Sequence, residues 1–180
     1  MIDMNICVFC SAEDIDEKYT KPAQEFARLI GANGHTFIWG GSDRGLMQLM
    51  ASAAQNAGGR IVGISMEMLK DRARKNADEM IIAKDLGERK AMMLARADVL
   101  VAMVGGIGTL DEVMGVLELK KHRVHEKPVI IFNIANFFDG FRQQFEKMEH
   151  EHFLPRPLNE LMYFADTPDD AMRYIESHGN

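Results

Sequence analysis

The chain has 180 residues, of which 47% are hydrophobic and 27% are charged, with a net charge of −6. These totals predict one soluble domain over residues 1–180, and they argue against nucleic-acid binding, which needs a basic surface. No apolar run could cross a bilayer and no basic region precedes the first apolar segment, so we expect a cytoplasmic protein without a membrane partner.

Strand-like and helix-like segments alternate along the chain. The pattern predicts strands over 5–10, 35–39, 60–65, 80–83, 99–104, 128–132 and 161–165. It predicts helices over 19–33, 46–57, 86–97, 109–122, about 137–150 and from 168 onward. Residues 66–80 carry no clear pattern, and 151–158 contain two prolines and predict a loop. The alternation favours an α/β fold, a Rossmann-like, doubly wound and mainly parallel sheet with helices on both faces.

The two cysteines, Cys7 and Cys10, have the C-x-x-C spacing of redox pairs. They lie inside a predicted strand, however, where residues three apart point to opposite faces. A zinc site would need a second pair of ligands. We therefore expect two buried, reduced thiols.

The segment after the strand at 99–104 combines three glycines with a predicted helix start. Gly105, Gly106 and Gly108 let a ligand approach the backbone, and Thr109 stands where the helix would begin. The free N–H groups of that helix end would bind a phosphate. Thr109 and Glu112 also have the spacing of a capping box, in which each side chain bonds the other's backbone N–H. A phosphate site and a cap explain the residues equally well.

A second glycine-rich turn, 40–45, also follows a strand and precedes a helix, and it contains Gly41 and Ser42. A plain turn would explain it in isolation. Ligands in such folds lie beyond the carboxyl ends of the strands, where the winding direction reverses. Both turns, together with Ser11 after the first strand, should line one crevice there.

Arg89 and Lys90 fall in the first turn of a predicted helix. Cations there oppose the helix dipole, at a cost of roughly 0.3–1 kcal/mol each. They could be compensated by nearby acidic residues and solvated, or they could face an anion. His122 and His125 have a spacing that a metal would tolerate, but no third ligand is apparent, so no metal site is predicted.

Five segments, in this order, resemble the Lonely Guy family of cytokinin riboside 5′-monophosphate phosphoribohydrolases, and the resemblance covers almost the whole chain. Residues 7–11 look like the family's first strand, 40–47 resemble its Gly-Gly-Gly-x-x-Gly-Leu-Met loop, 88–90 match Glu-Arg-Lys, 105–112 match Gly-Gly-x-Gly-Thr-x-x-Glu, and 125–128 resemble His-x-Lys-Pro. Many members were once labelled lysine decarboxylases.

Four positions depart from the family pattern. Val104 replaces the proline before the glycines, and Ser42 replaces the third glycine of the early loop. Leu119 and Lys121 stand where members often carry Trp and Gln, so the resemblance leaves the preferred base open.

The resemblance implies that Arg89 and Glu112 are the catalytic pair for hydrolysis of the N-glycosidic bond of a nucleoside 5′-monophosphate. Gly105, Gly106, Gly108 and Thr109 would bind the 5′-phosphate, with further substrate contacts from Lys90, Gly41, Ser42 and Ser11. It implies a homodimer and requires no metal or cofactor. The alternative is a non-catalytic nucleotide-binding or carrier protein that uses the same phosphate loop.

Overall fold

The computed structural model describes residues 3–178. The strands are β1 (Asn5–Phe9), β2 (Thr36–Trp39), β3 (Ile61–Met66), β4 (Glu79–Ala83), β5 (Val99–Ala102), β6 (Val129–Phe132) and β7 (Tyr163–Ala165). The helices are α1 (Glu17–Ala32), α2 (Gly45–Asn56), α3 (Leu86–Arg96), α4 (Ile107–Lys121), α5 (Asp139–His150), α6 (Leu158–Leu161) and α7 (Pro168–His178).

The seven strands form one sheet in the order β4-β3-β2-β1-β5-β6-β7, and every neighbouring pair is parallel. The central strands β2, β5 and β6 are buried at every position, as their unbroken apolar sequences predict. Helices α1, α2 and α7 pack on one face, and α3, α4 and α5 pack on the other. The predicted doubly wound α/β fold is confirmed, with a sheet that is entirely parallel.

The winding direction reverses between β1 and β5. From β1 the chain proceeds through β2 and β3 to one edge of the sheet, and from β5 it proceeds through β6 to the other. Val8 of β1 pairs with Trp39 on one side and with Val101 on the other. The loops after β1, β2 and β5 therefore emerge side by side at the carboxyl edge.

One segment without a predicted structure can now be assigned, and two local predictions need correction. The unassigned segment 66–80 contains a 3₁₀ turn over Glu67–Arg72. The last strand begins only at Tyr163, because Leu158–Leu161 forms the short helix α6 after Pro157. Helix α4 begins at Ile107, two residues before the predicted start at Thr109, and Gly106 is its N-cap.

Cys7 and Cys10 are both buried and free, and they pack into the apolar layers on opposite faces of the sheet. This arrangement confirms the prediction of two buried thiols that are not joined by a disulfide. No helix formed by residues 3–178 has both the length and the apolar character needed to cross a membrane.

Candidate active site

The loops after β1, β2 and β5 are joined by backbone hydrogen bonds. The Ser11 amide donates to the Val104 carbonyl at 3.2 Å, and the Ser11 carbonyl accepts from the Met47 amide at 3.1 Å. Ser11 thus links the glycine loop after β5 to the start of α2. These bonds hold the three loops next to one another, as the sequence predicted.

The N-terminus of α4 presents free backbone donors. Its N-cap is Gly106, which has no side chain to satisfy them, so the first N–H groups of the helix have no partner within the helix. Gly106, Ile107 and Gly108 are exposed. These amides and the positive end of the helix dipole are therefore free of a side-chain cap, which is the arrangement that an anion would need.

The predicted capping box between Thr109 and Glu112 is wrong. Thr109 is the third residue of α4 rather than its N-cap, so the helix that would have been capped has already begun. Its side chain is buried against Gly105, where an added Cβ would lie 2.0 Å from the Thr109 hydroxyl oxygen. The same Cβ would lie 3.2 Å from the Ser11 amide nitrogen. Gly105 is therefore needed so that Thr109 and Ser11 can both approach the loop.

Glu112 is instead paired with Arg89. Nη1 of Arg89 donates to Oε1 of Glu112 at 2.7 Å, and the two side chains are only 9% and 6% exposed. Nε of Arg89 donates to the carbonyl of Ile64 at 2.9 Å. Two fixed bonds therefore orient the guanidinium, and the structure excludes the solvated arginine that the sequence alone allowed. The hydrogen bond to Ile64 could not be predicted from the sequence, because its acceptor is a backbone carbonyl.

Burial raises the pKa of Glu112, and Arg89 acts in the opposite direction through its charge and its hydrogen bond. Asp111 adds a smaller upward contribution and Lys90 a smaller downward one. The net direction is upward because the carboxylate has lost nearly all contact with water. Burial also raises the pKa of the Cys7 and Cys10 thiols, and the charge of Glu112 raises both further. Both thiols therefore stay protonated and unreactive beside the pair.

Lys90 lies next to the pair but faces an anion of the protein itself. Its Nζ donates to both carboxylate oxygens of Asp111 at 2.9 Å, and the lysine side chain is 32% exposed. A substrate phosphate would have to share this lysine with Asp111.

The loop after β2 is shaped by the segment that follows the 3₁₀ turn. Gly41 has φ +78° and its carbonyl accepts from the Arg74 amide at 2.9 Å, while Ser42 bridges to Ala73. The Ser42 carbonyl accepts from the Trp39 indole at 3.1 Å. The buried hydroxyl of Ser42 has no hydrogen-bond partner within residues 3–178. Gly41 and Ser42 thus set the path of the loop through their backbones.

Sequence reasoning did not select Arg74, which is buried beneath this loop. It donates to Asp43 at 3.0 Å, to Ser52 at 2.9 Å and to Gln55 at 3.0 Å. It lies in the one segment without a periodic pattern, so nothing in the sequence indicated its burial.

The remaining residues singled out from the sequence lie at the far end of α4. Leu119 is exposed, and Lys121 pairs with Glu118 at 2.7 Å. His122 pairs with Glu118, whereas His125 contacts the Val116 carbonyl at 2.9 Å. The two histidines therefore have separate protein partners.

Comparison with known proteins identifies relatives over nearly the full length. The family model described as "Possible lysine decarboxylase" matches residues 47–175. The cytokinin riboside 5′-monophosphate phosphoribohydrolase of Mycobacterium marinum is 31% identical over 93% of this chain and 91% of its own. The enzyme of the same name from Mycobacterium tuberculosis is 31% identical over 95% of this chain and 92% of its own.

Among solved structures, the molybdenum cofactor binding protein of the phototrophic bacterium Rippkaea orientalis has the same fold. It superimposes with a TM-score of 0.76, covers 98% of both chains and is 24% identical in sequence. At that identity the likeness extends to the fold alone.

Proposed function

Because the chain belongs to the Lonely Guy family, we propose that it hydrolyses the N-glycosidic bond of a nucleoside 5′-monophosphate to a free base and ribose 5-phosphate. The observation that carries this proposal is the buried Arg89–Glu112 pair, which lies within two helical turns of the uncapped N-terminus of α4. A phosphate site and a carboxylate at this spacing suit a substrate with an anion at one end and a reacting sugar at the other.

The substrate phosphate would bind at the glycine loop. The amides at the start of α4 and the Thr109 hydroxyl would donate to its oxygens, with Gly105, Gly106 and Gly108 allowing close approach. Ser11, Gly41 and Ser42 would complete the wall of the crevice, and Lys90 would add charge at its rim. Binding energy from the phosphate would then position the ribose beside Glu112.

Cleavage of the bond between C1′ and the base nitrogen builds positive charge on the sugar ring, as in other glycoside hydrolyses. The Glu112 carboxylate would stabilise that charge and orient the attacking water. The water oxygen bonds to C1′, the bonding electrons leave with the base, and a proton from the water restores neutrality of the base. Oε1 of Glu112 is held by Arg89, so Oε2 is the oxygen left to act.

The first substrate we propose is a cytokinin-type N6-modified adenine nucleotide, with AMP or another purine monophosphate next. The mycobacterial relatives carry the cytokinin riboside name. Leu119 lies seven residues beyond Glu112 on α4, about 10 Å along the helix axis. Leu119, which stands where the family often carries Trp, is therefore distant from the proposed reacting centre of the same chain.

Amino-acid decarboxylation, which the family model's description suggests, fits these residues poorly. It usually needs an electron sink such as a Schiff base formed by a free lysine amine. Lys90 is the lysine beside the pair, and its Nζ is bound by both oxygens of Asp111.

Our proposal includes a homodimer in the cytoplasm. Its support is an apolar face on α4, formed by Ile107, Leu110 and Met114, which are 87%, 38% and 42% exposed. The two free thiols suit a reducing compartment.

The test is release of ribose 5-phosphate from a panel of nucleoside 5′-monophosphates that includes N6-isopentenyl AMP. Wild type, Glu112→Ala and the matched exposed variant Glu118→Ala are compared. Release by wild type and Glu118→Ala, but not by Glu112→Ala, would support the hydrolase. Nucleotide binding without release by any of the three would overturn it in favour of the carrier.

A further inference from the structure

Gly40, the first residue after β2, contacts the guanidinium of Arg89. An added Cβ at Gly40 would lie 2.1 Å from Nη2 of Arg89 and 3.0 Å from the terminal methyl carbon of Met47. Real Cβ atoms essentially never lie within 3.0 Å of a heavy atom from a residue elsewhere in the chain. The space that a side chain would fill is therefore occupied by Arg89.

The requirement for glycine here is one of space. Gly41 and Gly45 in the same loop have positive φ values, whereas Gly40 is not among the positive-φ residues. An alanine at position 40 would therefore not have to adopt the left-handed backbone that favours glycine. Its Cβ would, however, clash with Nη2 of Arg89 in its present position.

Arg89 has no freedom to move away. Its Nε is bound to the Ile64 carbonyl at 2.9 Å and its Nη1 to Glu112 at 2.7 Å. Ile64 lies on β3, the neighbour of the strand that leads into Gly40. Relieving the contact would need Nη2 to move by about 0.9 Å, the difference between 3.0 Å and 2.1 Å. Because the guanidinium is rigid and planar, this shift would lengthen or misalign at least one of the two bonds.

Nη2 is also the one guanidinium nitrogen without a hydrogen bond to residues 3–178. A side chain at position 40 would displace Nη2 and, through the rigid guanidinium, disturb the bond from Nη1 to Glu112.

We propose that Gly40 is a positioning residue for the active site, whose missing side chain provides the space that holds Arg89 against Glu112. Its effect on turnover rests on the proposed function. Its effect on the Arg89–Glu112 contact does not.

The first experiment compares Gly40→Ala with Gly87→Ala. Gly87 lies on the same helix as Arg89, and its added Cβ would meet only an Asp85 carboxylate oxygen at 3.4 Å. We expect Gly40→Ala to lower kcat at least about tenfold and to leave KM little changed, because the phosphate loop is intact. Gly87→Ala should match wild type, and thermal unfolding should show that both variants fold.

The second experiment repeats Gly40→Ala in an Arg89→Lys background. Lysine has no atom equivalent to Nη2, so the clash is absent. We expect the added alanine to lower the residual kcat by less than about twofold there, the non-additivity of residues in contact. An equal loss in both backgrounds would show a general structural effect and overturn the proposal.

A third readout needs no turnover. The pKa of Glu112 is measured in the full chain by NMR of the labelled carboxyl carbon, where Arg89, Lys90, Asp111, Cys7 and Cys10 are the groups that face it. Displacing Arg89 should raise that pKa by at least about one pH unit in Gly40→Ala, and Gly87→Ala should leave it unchanged.

The two proposals can fail separately. A raised pKa in Gly40→Ala together with an inactive wild type would overturn the hydrolase and support the role of Gly40. An active wild type together with unchanged kcat and pKa in Gly40→Ala would overturn the role of Gly40 alone.

Discussion

At the scale of single residues, the balance around Glu112 decides the chemistry of the site. Burial favours the neutral acid, whereas Arg89 favours the carboxylate, and the net effect is a raised pKa. A carboxylate that must be ionised to act would therefore lose activity at a higher pH than an ordinary glutamate would.

The pH dependence of kcat/KM measures this balance directly. We expect the acidic limb to lie above about pH 4.3, the ordinary glutamate value, because protonation of Glu112 removes the active form. Glu112→Gln should abolish most of the activity together with this limb, and Glu118→Gln, on an exposed position of α4, should preserve both. A limb at or below the ordinary value would contradict the role of the ionised Glu112 carboxylate in the reaction.

Removal of Arg89 should destabilise the fold in a pH-dependent way. Arg89→Met leaves a buried carboxylate without its partner, which we expect to cost about 3–5 kcal/mol at neutral pH. The penalty belongs to the ionised form, so it should shrink as the pH falls through the raised pKa of Glu112. Urea unfolding at pH 7.5 and pH 5 measures both values.

The control for this change is Arg96→Met on the same helix. Arg96 pairs with Glu79 at 2.9 Å, but its side chain is 44% exposed, so we expect a loss of no more than about 1 kcal/mol. A penalty for Arg89→Met that is equal at the two pH values would show that lost packing, rather than the buried charge, causes it.

At the scale of helices and loops, Gly105 determines how the glycine loop meets α4. Gly105→Ala would place a Cβ 2.0 Å from the Thr109 hydroxyl oxygen. We expect Thr109 and the first amides of α4 to shift, and KM for the nucleotide to rise at least about tenfold, as loss of well-placed hydrogen bonds to a charged group implies. Gly140→Ala, where an added Cβ meets nothing within 4 Å, should leave KM unchanged. An unchanged KM in Gly105→Ala would place the phosphate elsewhere.

Lys127, in the loop before β6, contacts the end of α3, the helix that carries Arg89. Nζ of Lys127 donates to the Leu94 carbonyl at 2.6 Å, at the C-terminal end of the helix that carries Arg89. Lys127→Met removes this cation from the negative end of the dipole, and we expect a loss of about 1 kcal/mol of unfolding free energy. Lys147→Met, on an exposed ion pair of α5, should lose less than about 0.5 kcal/mol in the same urea titration. Equal losses would show that Lys127 does not cap α3.

The elements also show how far sequence reasoning reaches. The central strands β2, β5 and β6 were predictable because they are buried on both faces and therefore apolar throughout. The start of α4 was not predicted correctly, because its N-cap is Gly106, which has no side chain to mark the end of the helix. Placing the start two residues late suggested a capping box for Glu112, which instead forms an ion pair with Arg89. Arg89 and Glu112 were paired only through the family resemblance, since residues 23 apart meet only in the folded chain. Gly40 was overlooked because the contact that requires glycine there belongs to Arg89.

At the scale of the whole molecule, the topology brings the site together. The reversal between β1 and β5 places three loops at one edge, while α3 and α4 reach the same edge from one face of the sheet. No single segment contains the site, so its geometry depends on the docking of α3 against α4. The outer surface of α4, with Ile107, Leu110 and Met114, is an exposed apolar surface on one of these two helices.

The oligomeric state is the last prediction. Ile107, Leu110 and Met114 recur at the spacing of one helical face and are exposed in the single chain. A second copy would bury them, so we expect light scattering to give twice the mass of one chain, with a melting temperature that rises with protein concentration. Met114→Glu would place a charge in that contact and should yield monomers. Phe153→Glu, at a position 74% exposed outside this face, should remain dimeric. A wild-type monomer at all concentrations, or a dimer that survives Met114→Glu but not Phe153→Glu, would rule out this face as the interface.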